Sequence, residues 1–280
     1  MDAHGRGASM DQARRLTLAV CQADAGRTGM EARFEWLSAQ AAAARSEGAE
    51  LVLFPELLST GYNVGPDLHR HAEEVHGDFA KRVGTLAKEL GIAIVYGYPE
   101  REGDAVYNAM MFVGADGRML ANHRKTVLPD GIEPDWFDVG NHLTMLRYAD
   151  VRIALLICYE VEFPESVRRV TAAGAELVLV CTACAFDQVP RFVIPARAYE
   201  NGVFVAYANY SGNDHGHEFP GLSCISDPFG IDLERAGATE QRLTTTLNLD
   251  LVDKARSRLP YLRDHRKVAI QTQLAGDNCP

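Results

Sequence analysis

The sequence predicts an α/β fold, a pseudo-symmetric sandwich in which two sheets lie face to face with helices outside them. Short apolar runs suited to buried strands alternate with stretches whose apolar residues recur every three or four positions. The hexapeptide Gly-Ala-Glu-Leu-Val-Leu occurs at residues 48–53 and again at 174–179, each time after a helix that follows an apolar strand. Two matched β-α-β units predict two related halves. With 280 residues, 47 % apolar and 24 % charged, the chain can bury a large core and is neither disordered nor collagen-like.

Residues 16–22 read as the first strand. Met30, Phe34, Leu37, Ala41 and Ala44 then form one apolar helix face, ended by Gly48. Residues 51–54 are a buried strand closed by Pro55 and Glu56, followed by a polar loop over 59–66. Phe79, Val83, Leu86 and Leu90 make a second helical stripe. Residues 92–98 and 107–113 read as strands joined by a turn at 102–104, and 119–123 as a further strand that runs into Lys125 and a loop over 126–141. Residues 151–157 form an apolar strand ending at Cys158, and Pro164 suits the first turn of the next helix. A strand at 177–181, a helix within 191–201, a strand at 204–209, strands near 222–226 and 244–249, and a short helix at 251–258 complete the order.

The formal net charge of −10 argues against a general nucleic-acid binder, which would show a basic face. No run is long enough for a membrane span, and residues 1–14 read as a loose polar tail without a signal-peptide core. The expectation is one cytoplasmic domain over 15–265 and a C-terminal tail over 266–280 at the subunit interface. Six cysteines lie mostly in apolar runs without framework spacing. Cys181-x-x-Cys184 has no second ligand pair, so neither a metal nor another cofactor is expected.

Cys158 is a candidate nucleophile because open α/β sheets present reactive groups at strand C-terminal ends. Glu56 and Lys125 also sit at strand-to-loop junctions, and three such residues predict a shared site. A thiol needs a base or a cation before it attacks. Glu56 can take its proton and later return it to a leaving amine. The fixed charge of Lys125 and the N–H of Tyr159 can stabilise an oxyanion. Together they describe acyl transfer through a thioester.

Leu53-Phe54-Pro55-Glu56, His123-Arg124-Lys125-Thr126 and Leu156-Ile157-Cys158-Tyr159-Glu160 resemble the three signature blocks of the nitrilase superfamily of carbon–nitrogen hydrolases. The resemblance spans residues 16 to about 263. It implies a four-layer α-β-β-α sandwich and a Glu56–Lys125–Cys158 triad. Glu133 matches the second glutamate that orients lysine and substrate, and Arg197-Ala198-Tyr199-Glu200-Asn201 matches a supporting segment beneath the site. Thr60-Gly61-Tyr62-Asn63, residues 94–100 and Tyr207-Ala208-Asn209-Tyr210 look most like aliphatic amidases of the 5-aminopentanamidase type. Tyr159 stands where nitrilases proper carry Trp, which favours amides over nitriles. Cys181-Thr182-Ala183-Cys184-Ala185 departs from the Pro-Thr-Ala-Asn run of relatives and borders the pocket in the family.

The expected activity is hydrolysis of a small aliphatic primary amide, including those with an ω-amino or ω-guanidino group, to acid and ammonia. The alternatives are an N-carbamoyl amine hydrolase and, in another class, an inactive sandwich used for binding or assembly. Tyr62, Tyr159, Cys184 and Phe186 are the expected substrate-lining residues. Asp187, Asp214 and Glu218 are weighed as holders of a cationic tail, with solvated loops the favoured account. His123 is expected to be a strand-edge histidine with ordinary hydrogen bonds, and Glu160 and Glu162 to be neighbours rather than catalysts. The only partners expected are the amide substrate and a second copy of the chain, in a homodimer or larger in which residues 165–173 are interfacial.

Overall fold

The computed structural model describes residues 13–63 and 65–267. Most of the expected N-terminal tail, and the expected C-terminal tail from residue 268 on, lie outside the described residues.

In chain order, β1 (Arg15–Asp24), β2 (Leu51–Leu53), β3 (Ala93–Glu102), β4 (Ala105–Val113) and β5 (Met119–Arg124) belong to the first sheet. The next four, β6 (Thr144–Tyr148), β7 (Val151–Ile157), β8 (Leu177–Cys181) and β9 (Phe204–Ala208), belong to the second. The chain then returns to the first sheet for β10 (Tyr210–Asp214) and β11 (His217–Pro220) and to the second for β12 (Cys224–Ser226) and β13 (Asp232–Arg235). It ends the sheets with β14 (Gln241–Asn248), antiparallel to β1. The longer helices are α1 (Met30–Ser46), α2 (Asp78–Leu90), α3 (Pro164–Ala172), α4 (Ile194–Asn201) and α5 (Asp250–Arg258).

The repeated hexapeptide occupies equivalent places. Leu51-Val52-Leu53 is β2, parallel between β1 and β3, and Leu177-Val178-Leu179 begins β8, parallel between β7 and β9. Strand alternation then sorts the core into layers. Leu16, Leu18 and Val20 of β1 pack with Ile153, Leu155 and Leu179 between the sheets. Ala19 and Cys21 point the other way, joining Trp36, Leu37, Phe79 and Val83 under α1 and α2. On the opposite outside face, Val167, Val170, Ile194 and Ala198 bring α3 and α4 onto the second sheet. The result is the α-β-β-α sandwich. Among the described residues no helix is long and apolar enough to cross a membrane.

Two local features differ from the sequence expectation. The stretch read as loop over 126–141 holds a four-residue helix, Glu133–Trp136, which carries Glu133. Strand β6 had no sequence signal because its residues are mostly half-buried on a sheet edge, so no alternation marks them. One glycine is required by proximity: a Cβ on Gly97 would lie 2.3 Å from the backbone N of Leu57 and 2.7 Å from Cα of Glu56. Only glycine lets β3 pass that close to the end of the Glu56 strand.

Candidate active site

Three strand ends deliver the three residues. Beyond β2, Phe54 N–H donates to Val95 O and Gly97 N–H to Pro55 O, at 2.8 and 3.1 Å. The phenol of Tyr210 donates to Glu56 O at 2.9 Å, which fixes the backbone where the carboxylate departs. Lys125 follows β5, its N–H bonded to Asn108 O and its carbonyl accepting from Gly140 N–H. Cys158 follows β7 at φ 48°, a left-handed conformation that costs a non-glycine residue energy and recurs at functional turns. Leu57, next to Glu56, has φ 48° as well.

The turn at Cys158 is braced from two sides. Oε2 of Glu160 accepts from Ile157 N–H at 2.7 Å, while Oε1 accepts from Thr126 N–H at 2.9 Å. One buried carboxylate therefore ties the nucleophile's turn to the segment carrying Lys125. From below, the Arg197 guanidinium donates to the carbonyls of Val161 and Glu162. The Arg197–Asn201 segment thus supports the turn mechanically.

Lys125 is fully buried and its Nζ lies 2.8 Å from Glu56 Oε1 and 2.8 Å from each oxygen of Glu133. Asn108 Nδ2 donates to the same Glu56 oxygen at 2.7 Å, and the Tyr62 hydroxyl donates to Glu133 Oε1 at 2.8 Å. Glu56 Oε2 is left buried without a hydrogen-bond partner among the described residues. A buried acceptor left open is costly and points to a working atom. Burial pushes the Glu56 carboxyl above the ordinary range, against the opposing pull of Lys125. Burial would lower Lys125, but the negative field of Glu56 and Glu133 outweighs it and holds the ammonium charged. Burial, then Glu56, raise the Cys158 thiol well above its usual value, with Lys125 opposing. The resting nucleophile is a thiol beside a carboxylate of raised basicity, an arrangement suited to proton transfer as attack occurs.

A cavity of about 370 Å³ opens onto this group. Cys158 and Glu133 line it, and so do Tyr62, Tyr159, Cys184 and Phe186. Phe186 stands at the mouth, 68 % exposed. Glu56 and Lys125 lie beneath the lining, screened from solvent. Cys184 is positioned by Asn209, whose amide accepts from Cys184 N–H and donates to Cys184 O at 2.9 and 3.0 Å.

Other residues weighed in the sequence also have defined places. Glu162, read as a neighbour, lines the cavity. Glu160 is the brace described above, and His123, on the edge strand β5 as expected, is a wholly buried partner to it at 2.8 Å. Asp187 pairs with Arg191 at the surface, Glu218 is exposed, and Asp214 bonds Asn63 and His215; none of the three lines this cavity. Asn108 was missed, although a lone amide inside the apolar run of β4 is a readable signal. Tyr210 and Asn209 gave no signal separable from a family-like motif.

The carbon–nitrogen hydrolase family model matches residues 17–257. A Pseudomonas protegens hydrolase encoded in the pqqF 5′ region is 39 % identical over 223 residues, covering 78 % of each chain. An (R)-stereoselective amidase of a Pseudomonas species is 35 % identical over 245 residues, covering 86 % of this chain and 89 % of that one. A cysteine-to-alanine mutant of the amidase from Nesterenkonia sp. AN1, solved in complex with butyramide, superposes with a TM-score of 0.80 at 32 % identity. That match covers 91 % of this chain and 97 % of the other. With the family model matched across both sheets and the same sandwich in a solved nitrilase-superfamily structure, this chain belongs to the carbon–nitrogen hydrolases of the nitrilase superfamily.

Proposed function

We propose that the protein is an amidase that hydrolyses small aliphatic primary amides, preferentially those with a cationic ω-group, through a thioester on Cys158. The observation that carries the reading is the open Glu56 oxygen beside a lysine held between two carboxylates. The Cys158 sulfur attacks the amide carbon while its proton passes to Glu56 Oε2. Lys125 Nζ and the Tyr159 N–H stabilise the oxyanion that forms. Glu56 returns the proton to nitrogen as the C–N bond breaks, releasing ammonia and leaving the thioester. Water then attacks the acyl carbon as Glu56 takes its proton, and Glu56 passes that proton to the Cys158 sulfur as the C–S bond breaks to give the acid. Glu133, anchored by Tyr62, keeps the lysine in place during both halves.

The preference for a cationic tail rests on the lining. Asp130, Glu133 and Glu162 face the cavity, and among the described residues no lysine or arginine lines it. The amidase relative supports an amide substrate, and the butyramide complex supports one of this size class. Purified protein should release ammonia from 5-aminopentanamide, and Cys158→Ala should lower the rate by at least about a thousandfold while the fold persists. An active, folded Cys158→Ala variant would overturn the mechanism. Equal rates on 5-aminopentanamide and pentanamide would remove the cationic preference.

We also propose self-association through α3 and the neighbouring surface of α4. Glu165, Arg169, Ala172 and Ala173 are outward-facing, and Phe192 and Tyr199 expose aromatic surface nearby.

A further inference from the structure

The amino-terminal end of α1 opens on a second cavity, of about 260 Å³, bordered by Arg27, Gly29, Arg33, Thr60, Asn63 and Asp214. Arg33 is 3 % exposed, yet its Nε and Nη1 have no hydrogen-bond partner and it makes no ion pair among the described residues. A buried guanidinium left unpaired is among the costliest arrangements a fold can keep. Arg27 reaches the same cavity. Its Nη2 pairs with Glu240 at 2.7 Å, but its Nε is also buried without a partner among the described residues. Gly29 supplies no side-chain cap to α1, and the first N–H groups of a helix have no acceptor within it. Two open guanidinium edges therefore meet the positive end of a 17-residue helix.

The cavity's acids do not answer this charge. Asp214 accepts from Asn63 N–H at 3.1 Å and from His215 Nδ1 at 2.7 Å, and Asp67 pairs with Arg70 at 3.1 Å. We propose that the cavity binds a small oxyanion, a carboxylate or a phosphate, held by the Arg33 and Arg27 guanidiniums at the amino terminus of α1. Planar guanidinium donors suit both groups. The site also touches the catalytic cavity through one turn. Gly61, at φ 96°, lies so close to Arg33 that a Cβ there would sit 2.5 Å from Nη2. Tyr62, the next residue, faces the other way and holds Glu133. An anion on Arg33 braces the turn that carries Tyr62.

The test is calorimetric titration of the whole protein with inorganic phosphate and, separately, with acetate at constant chloride. Saturable binding of at least one is expected, retained in Cys158→Ala, with affinity reduced at least about tenfold in Arg33→Met and about threefold in Arg27→Met. The ion that saturates identifies which oxyanion the site takes. No saturable heat from either ion up to tens of millimolar overturns the proposal, as does loss of binding in Cys158→Ala, which would place the ion in the catalytic cavity. If Arg33→Met does not fold, Arg27→Met decides: unchanged affinity there overturns it.

Discussion

Glu160 and His123 lie 2.8 Å apart, Nε2 to Oε2, with neither side chain exposed. The same carboxylate accepts from the backbone of Ile157 and of Thr126, so it joins the nucleophile's turn to the lysine's strand end across the two sheets. Burial opposes its ionisation, but His123 and the hydrogen bonds from Thr126 and Ile157 prevail and hold its pKa below 4.5. A lowered folded pKa contributes stability that is whole above the unfolded value and lost as pH falls through the folded one. Glu160→Gln should cost about 3 kcal/mol near neutrality. In denaturant titrations the difference from the parent protein should shrink as pH drops below 4.5. A difference that stays constant with pH would contradict this account.

The base has its own signature. Glu56 must be ionised to accept the thiol proton, and burial raises its pKa above 4.5, so the acid limb of kcat/KM should lie above that value. Asn108 donates to the carboxylate and lowers its pKa, so Asn108→Ala should move the limb to higher pH. A pH–rate profile that does not move, or moves down, would refute the assignment.

Tyr62→Phe removes the hydroxyl that donates to Glu133. The loss of a hydrogen bond to a buried carboxylate should lower kcat about tenfold. A loss confined to KM would make Tyr62 a substrate contact and not a holder of Glu133.

Glu162 is half-buried in the lining, with its carboxyl raised by burial against the pull of Lys125 and Arg197. Glu162→Gln should reduce kcat/KM for 5-aminopentanamide relative to pentanamide about fivefold or more. An unchanged ratio would assign the tail's recognition elsewhere.

Light scattering should give at least twice the chain mass of 30.7 kDa. Arg169→Glu with Tyr199→Glu should shift the protein toward monomer by placing charge on the proposed contact. A monomeric parent protein would end the proposal.

Much of this protein could be read from its letters. The repeated hexapeptide marked the two central parallel strands, because a buried strand needs a continuous apolar run and leaves little freedom in its wording. Glu56, Lys125 and Cys158 stood out because charged or reactive groups at the ends of such runs have few other uses. Strand β6 was hidden by its half-buried edge position, and the helix at Glu133 by its brevity.

What the sequence determined was therefore local and periodic: the α/β class, the strand ends and the chemistry each carries. Only the tertiary structure decided which distant groups meet. It put Asn108 on Glu56, Tyr62 on Glu133 and His123 under Glu160, across separations of 52, 71 and 37 residues. It also left Arg33 buried and open. Hydrogen bonds between side chains so far apart leave no periodicity behind, because their geometry is set by the packing of the sheets and not by the spacing of the chain.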